Sequence, residues 1–149
     1  PFRLGAFMAA GRAGGYLHVN WNGDVSPCVF APYAAANLKD LYARGGVLTD
    51  AWARPFFADI RTWQREYGYR ESDEPRGRCG NWLAPCPIRD HHSAFRELLA
   101  RHRPHPADAD AEAALADPEY RRGMEEFGAR LAALTAPVWK EQYLDRSGR

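Results

Sequence analysis

Three cysteines, Cys28, Cys79 and Cys86, are the side chains in this sequence best suited to metal chemistry. A thiolate is the soft donor that zinc and iron–sulfur clusters select. Cys28 closes the stretch Gly23-x4-Cys28 directly after a turn signal, and Cys86 stands in Ala84-Pro85-Cys86-Pro87. Proline at both places keeps the neighbouring backbone out of regular structure, so thiolates there can face a common point. Cys79 lies seven residues before Cys86 in an irregular stretch, from which its sulfur could join them. Zinc sites more often present Cys-x2-Cys knuckles, which this sequence lacks, whereas a [4Fe–4S] core takes four thiolates. An odd number of cysteines would leave a closed disulfide framework with a spare thiol. In a reducing compartment the competing reading is burial as small hydrophobes.

The elements that must carry these thiols can be read from periodicity and punctuation. Residues 9–15 are a loop of small residues, and residues 16–20 alternate as a strand. Asn22-Gly23 then turns the chain, because both tolerate positive φ, and residues 25–30 return. Pro27 has no N–H for a ladder, so that strand is an edge or ends near Cys28. A short helical turn is expected over residues 37–46, stopped by Gly45-Gly46, with Thr49 capping the next segment. Phe56, Ile60, Trp63 and Tyr67 recur at helical spacing behind Pro55, which suits a first helical turn. Residues 70–78 are charged, apart from Pro75, Gly77 and Ser72, and read as an exposed loop.

After Asp90 the pattern is helical. Phe95, Leu98, Leu99 and His102 share a face, stopped by Arg103-Pro104-His105-Pro106. Residues 108–112 read as an acidic connector. Asp117-Pro118 opens a helix with the stripe Tyr120, Met124, Phe127, Leu131 and Leu134; Pro137 is expected to interrupt it before a last turn or two to Leu144. The fold class is therefore α+β: a small β-hairpin module packed on helices over residues 1–92, with a helical C-terminal extension over residues 93–149.

Composition narrows the function. The 149 residues suit one domain or a domain with an appendage, and 46% hydrophobic with 26% charged residues is a soluble, globular balance. Twenty basic against 19 acidic residues leave no electrostatic footprint for nucleic acid. No apolar run approaches the ~18 residues of a membrane span and no secretory leader is present, so no membrane partner and a cytoplasmic location are expected. Pro1 followed so soon by a glycine-rich loop suggests a start inside a longer protein. No catalytic triad, paired catalytic carboxylates, P-loop or dinucleotide fingerprint can be built from these spacings. His91-His92 invite a metal reading, with capping of the following helix as the commoner role; His18 on the hairpin is read first as a partly buried strand histidine.

At these residues the sequence resembles a family. Gly-Tyr-Leu-His-Val-Asn-Trp-Asn-Gly-Asp-Val-Ser-Pro-Cys-Val-Phe over residues 15–30 is similar to the opening of the C-terminal SPASM or shorter Twitch module of radical S-adenosylmethionine enzymes. That module's pattern is a Cys, a gap, then Gly-x4-Cys and later cysteines. The resemblance continues in residues 53–61 and in Leu83-Ala84-Pro85-Cys86-Pro87-Ile88-Arg89-Asp90, and covers residues 7–144.

The resemblance implies an auxiliary iron–sulfur cluster, of the [4Fe–4S] type, held by Cys28, Cys79 and Cys86 near substrate or along an electron path. It implies as partner an upstream barrel domain that binds S-adenosylmethionine through Cys-x3-Cys-x2-Cys, a motif absent from this chain, and a peptide or small-molecule substrate. The chain alone is then not expected to be catalytic. Phe7 stands where the module's first Cys would be, and Phe cannot bind iron. Three explanations compete: Cys79 replaces the lost ligand, one iron stays open for substrate or a barrel ligand, or the site has decayed and the domain is structural. A cluster-free docking or substrate-covering module is the alternative function.

Overall fold

The structure, a computed structural model, describes residues 17–67 and 80–144. The expected loops at residues 9–15 and 70–78, Phe7 and Cys79 lie outside the described residues. The architecture is α+β with a helical C-terminal half, as the sequence implied.

Strands β1 (His18–Val19) and β2 (Asp24–Ser26) form the expected hairpin, with His18 opposite Ser26 and Val19 opposite Val25. Its turn is built by one side chain. Asn20 Oδ1 accepts from the backbone N–H groups of Asn22 and Asp24, both at 2.9 Å. Gly23 completes the turn at φ 91°, a conformation few side-chain-bearing residues adopt. β2 stops at Ser26, immediately before Pro27, for the reason its missing N–H dictates.

Two short strands follow, β3 (Tyr33–Ala34) and β4 (Ala36–Asn37), and β4 pairs with β2 to give the sheet order β1-β2-β4. Asn37 links this sheet to the helices. Its Oδ1 accepts from Lys39 N at 2.9 Å, capping α1 (Leu38–Ala43), while its Nδ2 donates to Asp24 Oδ1 at 2.8 Å. That amide is the main reason the Asp24 carboxyl lies below its ordinary pKa. α1 ends at Arg44 and Gly45 takes φ 73°, the left-handed position glycine occupies at helix ends.

α2 (Leu48–Trp52) begins at Val47 rather than at Thr49, which lies inside it; Asp50 accepts the Val47 N–H at 2.8 Å and closes the turn that Thr49 was expected to cap. α3 (Pro55–Tyr67) starts at the proline and buries Phe56 and Ile60 of the expected stripe, together with Phe57 and Gln64. α4 (His92–His102) crosses it with Phe95, Leu98 and Leu99, the Phe56 and Phe95 rings lying 6.3 Å apart. Arg103 then takes φ 46° and ends the helix where the proline-rich stop was read.

The acidic connector is a helix. α5 (Ala109–Ala116) is capped by Asp108, whose carboxylate accepts Ala111 N at 2.7 Å, and its alanines outweigh the acidic residues that suggested a loop. β5 (His105–Pro106) precedes it and pairs with β3, and Tyr33 Oη donates to the Ala111 carbonyl at 3.1 Å. α6 (Pro118–Trp139) opens on the Asp117 cap and Pro118 as read, but it does not break at Pro137. It passes through that proline and widens into a π-helical turn, Lys140–Leu144. Pro137 has no N–H to give to the carbonyl four residues back and its ring crowds that carbonyl, and π-type widening is one way a helix absorbs the misfit.

One buried cluster joins Val25, Cys28, Ala31 and Tyr33 of the hairpin region to Leu41, Ala51, Phe56, Phe57 and Ile60, and to Phe95, Leu98, Leu99 and Ala111. Full burial of each large side chain contributes about 1.5–3 kcal/mol, so this cluster is what holds the cysteine-bearing turns against the helices. Among the described residues no helix is long and apolar enough to cross a membrane.

Candidate metal centre

Cys28 sits in a turn that bulges from the end of β2. It forms a bridge with Ala31, whose N–H donates to the Cys28 carbonyl at 3.0 Å, and Ser26 Oγ donates to the same carbonyl at 3.2 Å. The turn therefore fixes the cysteine backbone twice over. Cys28 is 6% exposed and belongs to the apolar cluster, whereas Val29 and Phe30 at the tip of the turn are 57% and 81% exposed. His18 pairs with Ser26 across the hairpin, its Nδ1 lying 3.2 Å from Ser26 Oγ, so it is the partly buried strand histidine expected.

Cys86 is held differently, by a polar turn. Its N–H donates to Asp90 Oδ2 at 2.9 Å and its carbonyl accepts Asp90 N at 2.8 Å, so Asp90 closes the turn at both ends. The Asp90 carboxylate is fully buried and is paired with the Arg89 guanidinium, which lies against the Phe127 ring of α6. Pro87 is fully buried, and Ile88 packs against the cluster that contains Cys28. Burial pushes the Cys86 thiol above its ordinary pKa, while the backbone amides of Arg89 and Ile88, facing the sulfur, pull it back down. A backbone N–H aimed at sulfur stabilises the thiolate that a cluster needs and tunes a cluster's potential once it is bound.

The approach to this turn is stapled by aromatic groups. Tyr67 Oη lies 3.1 Å from the Asn81 carbonyl and 3.2 Å from that of Ala84. His91 Nε2 donates to Ala84 O at 2.9 Å, with its ring against Tyr67 and Trp63. His91 is thus the N-cap residue of α4 by backbone position, but its side chain makes no capping bond and secures the cysteine loop instead. Asn81 Nδ2 donates to Thr135 Oγ1 on α6 at 2.6 Å. Gly128, on the same helix, lies so close to the Asp90 carbonyl that no Cβ would fit.

The structure thus places Cys28 and Cys86 on two turns that border one core, the first dry and the second lined by amides. Among the described residues no three His, Cys, Asp or Glu side chains come together as a metal-binding group, and Cys79 is outside them. The donor chemistry of the Cys86 turn fits a cluster thiolate; Cys28 fits as a water-shielded one. Sequence reading missed Asp90, Gly128, Tyr67 and Thr135 as supports of this turn. Asp90 alone left a signal, as an acidic residue four positions after a cysteine ahead of a helix.

A family model described as an iron–sulfur cluster-binding domain, SPASM, matches residues 12–81. The match takes in Cys28 and Cys79 and ends before Cys86. No curated protein and no solved structure matches this chain. Residues 12–81, which include the hairpin, the cysteine turn that follows it and helices α1 to α3, are thus similar to the SPASM iron–sulfur cluster-binding domain.

Proposed function

We propose that this chain is the accessory module of a radical S-adenosylmethionine enzyme and holds an auxiliary [4Fe–4S] cluster through Cys28, Cys79 and Cys86. The observation that carries the reading is the cluster-binding family match over residues 12–81. The Cys86 turn supports it, since its sulfur faces two backbone amides and its backbone is locked by a buried carboxylate. When bound, the cluster supplies one-electron transfer or an iron site for substrate. The chain's own residues exclude water at Cys28, donate N–H groups to the Cys86 sulfur and fix both backbones. S-adenosylmethionine is bound and cleaved by a barrel partner carrying Cys-x3-Cys-x2-Cys, and the substrate is a peptide or small molecule presented to that barrel.

The test is anaerobic reconstitution of the chain with iron and sulfide, followed by iron and sulfide analysis and visible absorption. A cluster that persists through gel filtration and is lost in Cys28→Ser and in Cys86→Ser is the expected result. Loss in Cys79→Ser as well makes Cys79 the compensating ligand. Iron below one atom per chain in every preparation would overturn the reading. A cluster-free docking module is favoured by one observation, the placement of Cys28 inside the apolar core beside an exposed Val29-Phe30 tip. For that module the same Cys28→Ser change would leave binding to the barrel partner intact.

A further inference from the structure

Between α4 and α5 lies a cavity of about 290 Å³, lined by Arg96, Leu99, Ala100, Arg103, Pro104 and Leu115. That size is at the lower end of the pockets that hold small ligands. Arg96, Leu99, Ala100 and Arg103 recur at i, i+3, i+4 and i+7, so they share one face of α4 and its C-cap. The lining is two arginines and four apolar residues, with no acidic side chain.

The two guanidiniums are held differently. Arg96 is half-buried, and its Nη1 donates to the carbonyls of Leu115 at 2.8 Å and Ala114 at 3.4 Å, in the last turn of α5. Its Nε and Nη2 make no hydrogen bond among the described residues. Those two nitrogens form an edge of the guanidinium that can serve both oxygens of one carboxylate. Arg89 shows this pairing in the same chain, with Nε and Nη2 on the two oxygens of Asp90. On Arg96 the same edge has no acid. The Arg103 side chain makes no hydrogen bond or ion pair among the described residues, and its backbone sits at φ 46°. Glycine would be unstrained there, so an arginine in its place suggests a use for the side chain.

The cavity lies where both helices end. Helix ends of that polarity carry about half a negative charge each and repel anions, but two guanidiniums exceed that sum. Arg96 Nη1 also satisfies the α5 carbonyls, so positive charge remains over an apolar lining.

We infer that this cavity binds an aliphatic carboxylate, with the acid group on the Nε–Nη2 edge of Arg96, Arg103 as the second cation and the hydrocarbon against Leu99, Ala100, Pro104 and Leu115. A bare phosphate makes no use of that apolar lining. An uncharged aliphatic leaves both guanidiniums unanswered. A free acid and the carboxyl end of a peptide both carry the required chemistry, and the inference does not rest on the cluster reading above.

The test follows the side-chain Nε–H signals of Arg96 and Arg103 by NMR in the full chain, with hexanoate, hexanamide and inorganic phosphate as probes. Hexanoate is expected to shift both signals and to saturate with a Kd of about 1 mM, while hexanamide and phosphate bind at least about tenfold more weakly. Arg96→Lys keeps the charge and loses the fork, Arg103→Gly removes the second cation, and each should weaken hexanoate about tenfold. Arg103→Gly also relieves the backbone, so a thermal midpoint no lower than the parent's separates lost binding from lost folding. Ala100→Phe fills the cavity and should abolish binding with both arginines in place. A peptide ending in leucine with a free carboxyl, set against hexanoate, assigns the site to a peptide end if the peptide binds more tightly and to a free acid if it does not. Phosphate binding as tightly as hexanoate means general anion attraction, and hexanamide doing so means an apolar crevice. Hexanoate binding undiminished by Ala100→Phe places it elsewhere, and no saturation by about 30 mM means no site. Each of these four results overturns the inference.

Discussion

Gly128→Ala and Gly123→Ala make the same chemical change on the same helix, five residues apart, and should have opposite effects. Within an exposed helix, replacing Gly by Ala stabilises by about 1 kcal/mol through backbone entropy. A Cβ at Gly123 meets nothing within 4 Å, so that gain is realised in full. A Cβ at Gly128 would overlap the Asp90 carbonyl oxygen and stand 3.1 Å from its carbonyl carbon, both backbone atoms that cannot rotate aside. Carbon atoms at rest keep about 3.5–4.0 Å between them, so α6 and the Cys86–Asp90 turn must part by about 1 Å. Overpacking of this kind costs about 1–3 kcal/mol, which exceeds the propensity gain.

The expected net result is destabilisation of about 1–2 kcal/mol for Gly128→Ala and stabilisation of about 1 kcal/mol for Gly123→Ala. Urea unfolding of the full chain, followed by far-UV circular dichroism, reads the difference directly. With a slope of roughly 2 kcal/mol per molar urea, the two midpoints should separate by about 1 M or more at unchanged slope. Because Gly128 touches the turn that positions Cys86, its variant should also lose reconstituted iron faster than the Gly123 variant. If Gly128→Ala is stabilised as much as Gly123→Ala, α6 is not packed on the Cys86 turn and the account of how that turn is held is wrong.

Asp90→Ala should cost about 2–4 kcal/mol, because it strands the buried Cys86 N–H and removes the Arg89 partner; Asp90→Asn, which keeps an acceptor, should cost about half as much by the same denaturation assay. The Asp59 carboxyl lies below its ordinary pKa, chiefly through His102 and then Arg101, so its contribution is present above the unfolded pKa of ~3.9 and is lost as pH falls through the lower folded value. At 37% side-chain exposure that contribution stays below about 1 kcal/mol, and Asp59→Asn should flatten the acid limb of stability against pH by no more than this. The raised Cys86 thiol gives the reverse sign: its contribution is complete below the unfolded pKa of ~8.5 and is lost as pH rises through the folded value. Without iron, Cys86 should therefore alkylate more slowly at pH 8 than in the urea-unfolded chain, measured in a Cys28→Ser, Cys79→Ser background. Arg103→Gly should stabilise by about 0.5–1 kcal/mol in thermal unfolding, since φ 46° strains a residue with a Cβ.

What the sequence disclosed and what it withheld divide along local and non-local physics. The Asn22-Gly23 turn, the strand end at Pro27, the start of α3 at Pro55 and the Asp117-Pro118 cap are decided by one or two residues, and each is where it was read. Misreadings came where a weak local preference met a stronger context. The charges of residues 108–112 suggested a connector, but Asp108 caps and the alanines propagate, so α5 forms. Pro137 breaks a helix only where the lost hydrogen bond cannot be replaced, and α6 widens around it. The supports of Cys86 were invisible for a different reason: Thr135 and Gly128 lie more than forty residues away in sequence, and only packing brings them to the turn.

The two described cysteines also show why a motif is a poor guide to how a thiol is held. Cys28 carries the Gly-x4-Cys spacing and is buried in one cluster with Val25, Ala31 and Phe56, an apolar setting that keeps water from the sulfur. Cys86 lies beyond the family match, in a turn whose amides and buried carboxylate define its geometry. However differently the two thiols are held, a metal that binds both would displace a proton from each. Iron loading of the intact chain should accordingly fall with acid, measured as iron per chain after reconstitution across a pH series. Loading that does not change with pH would mean that no thiol gives up its proton to the metal, and that neither Cys28 nor Cys86 is a ligand.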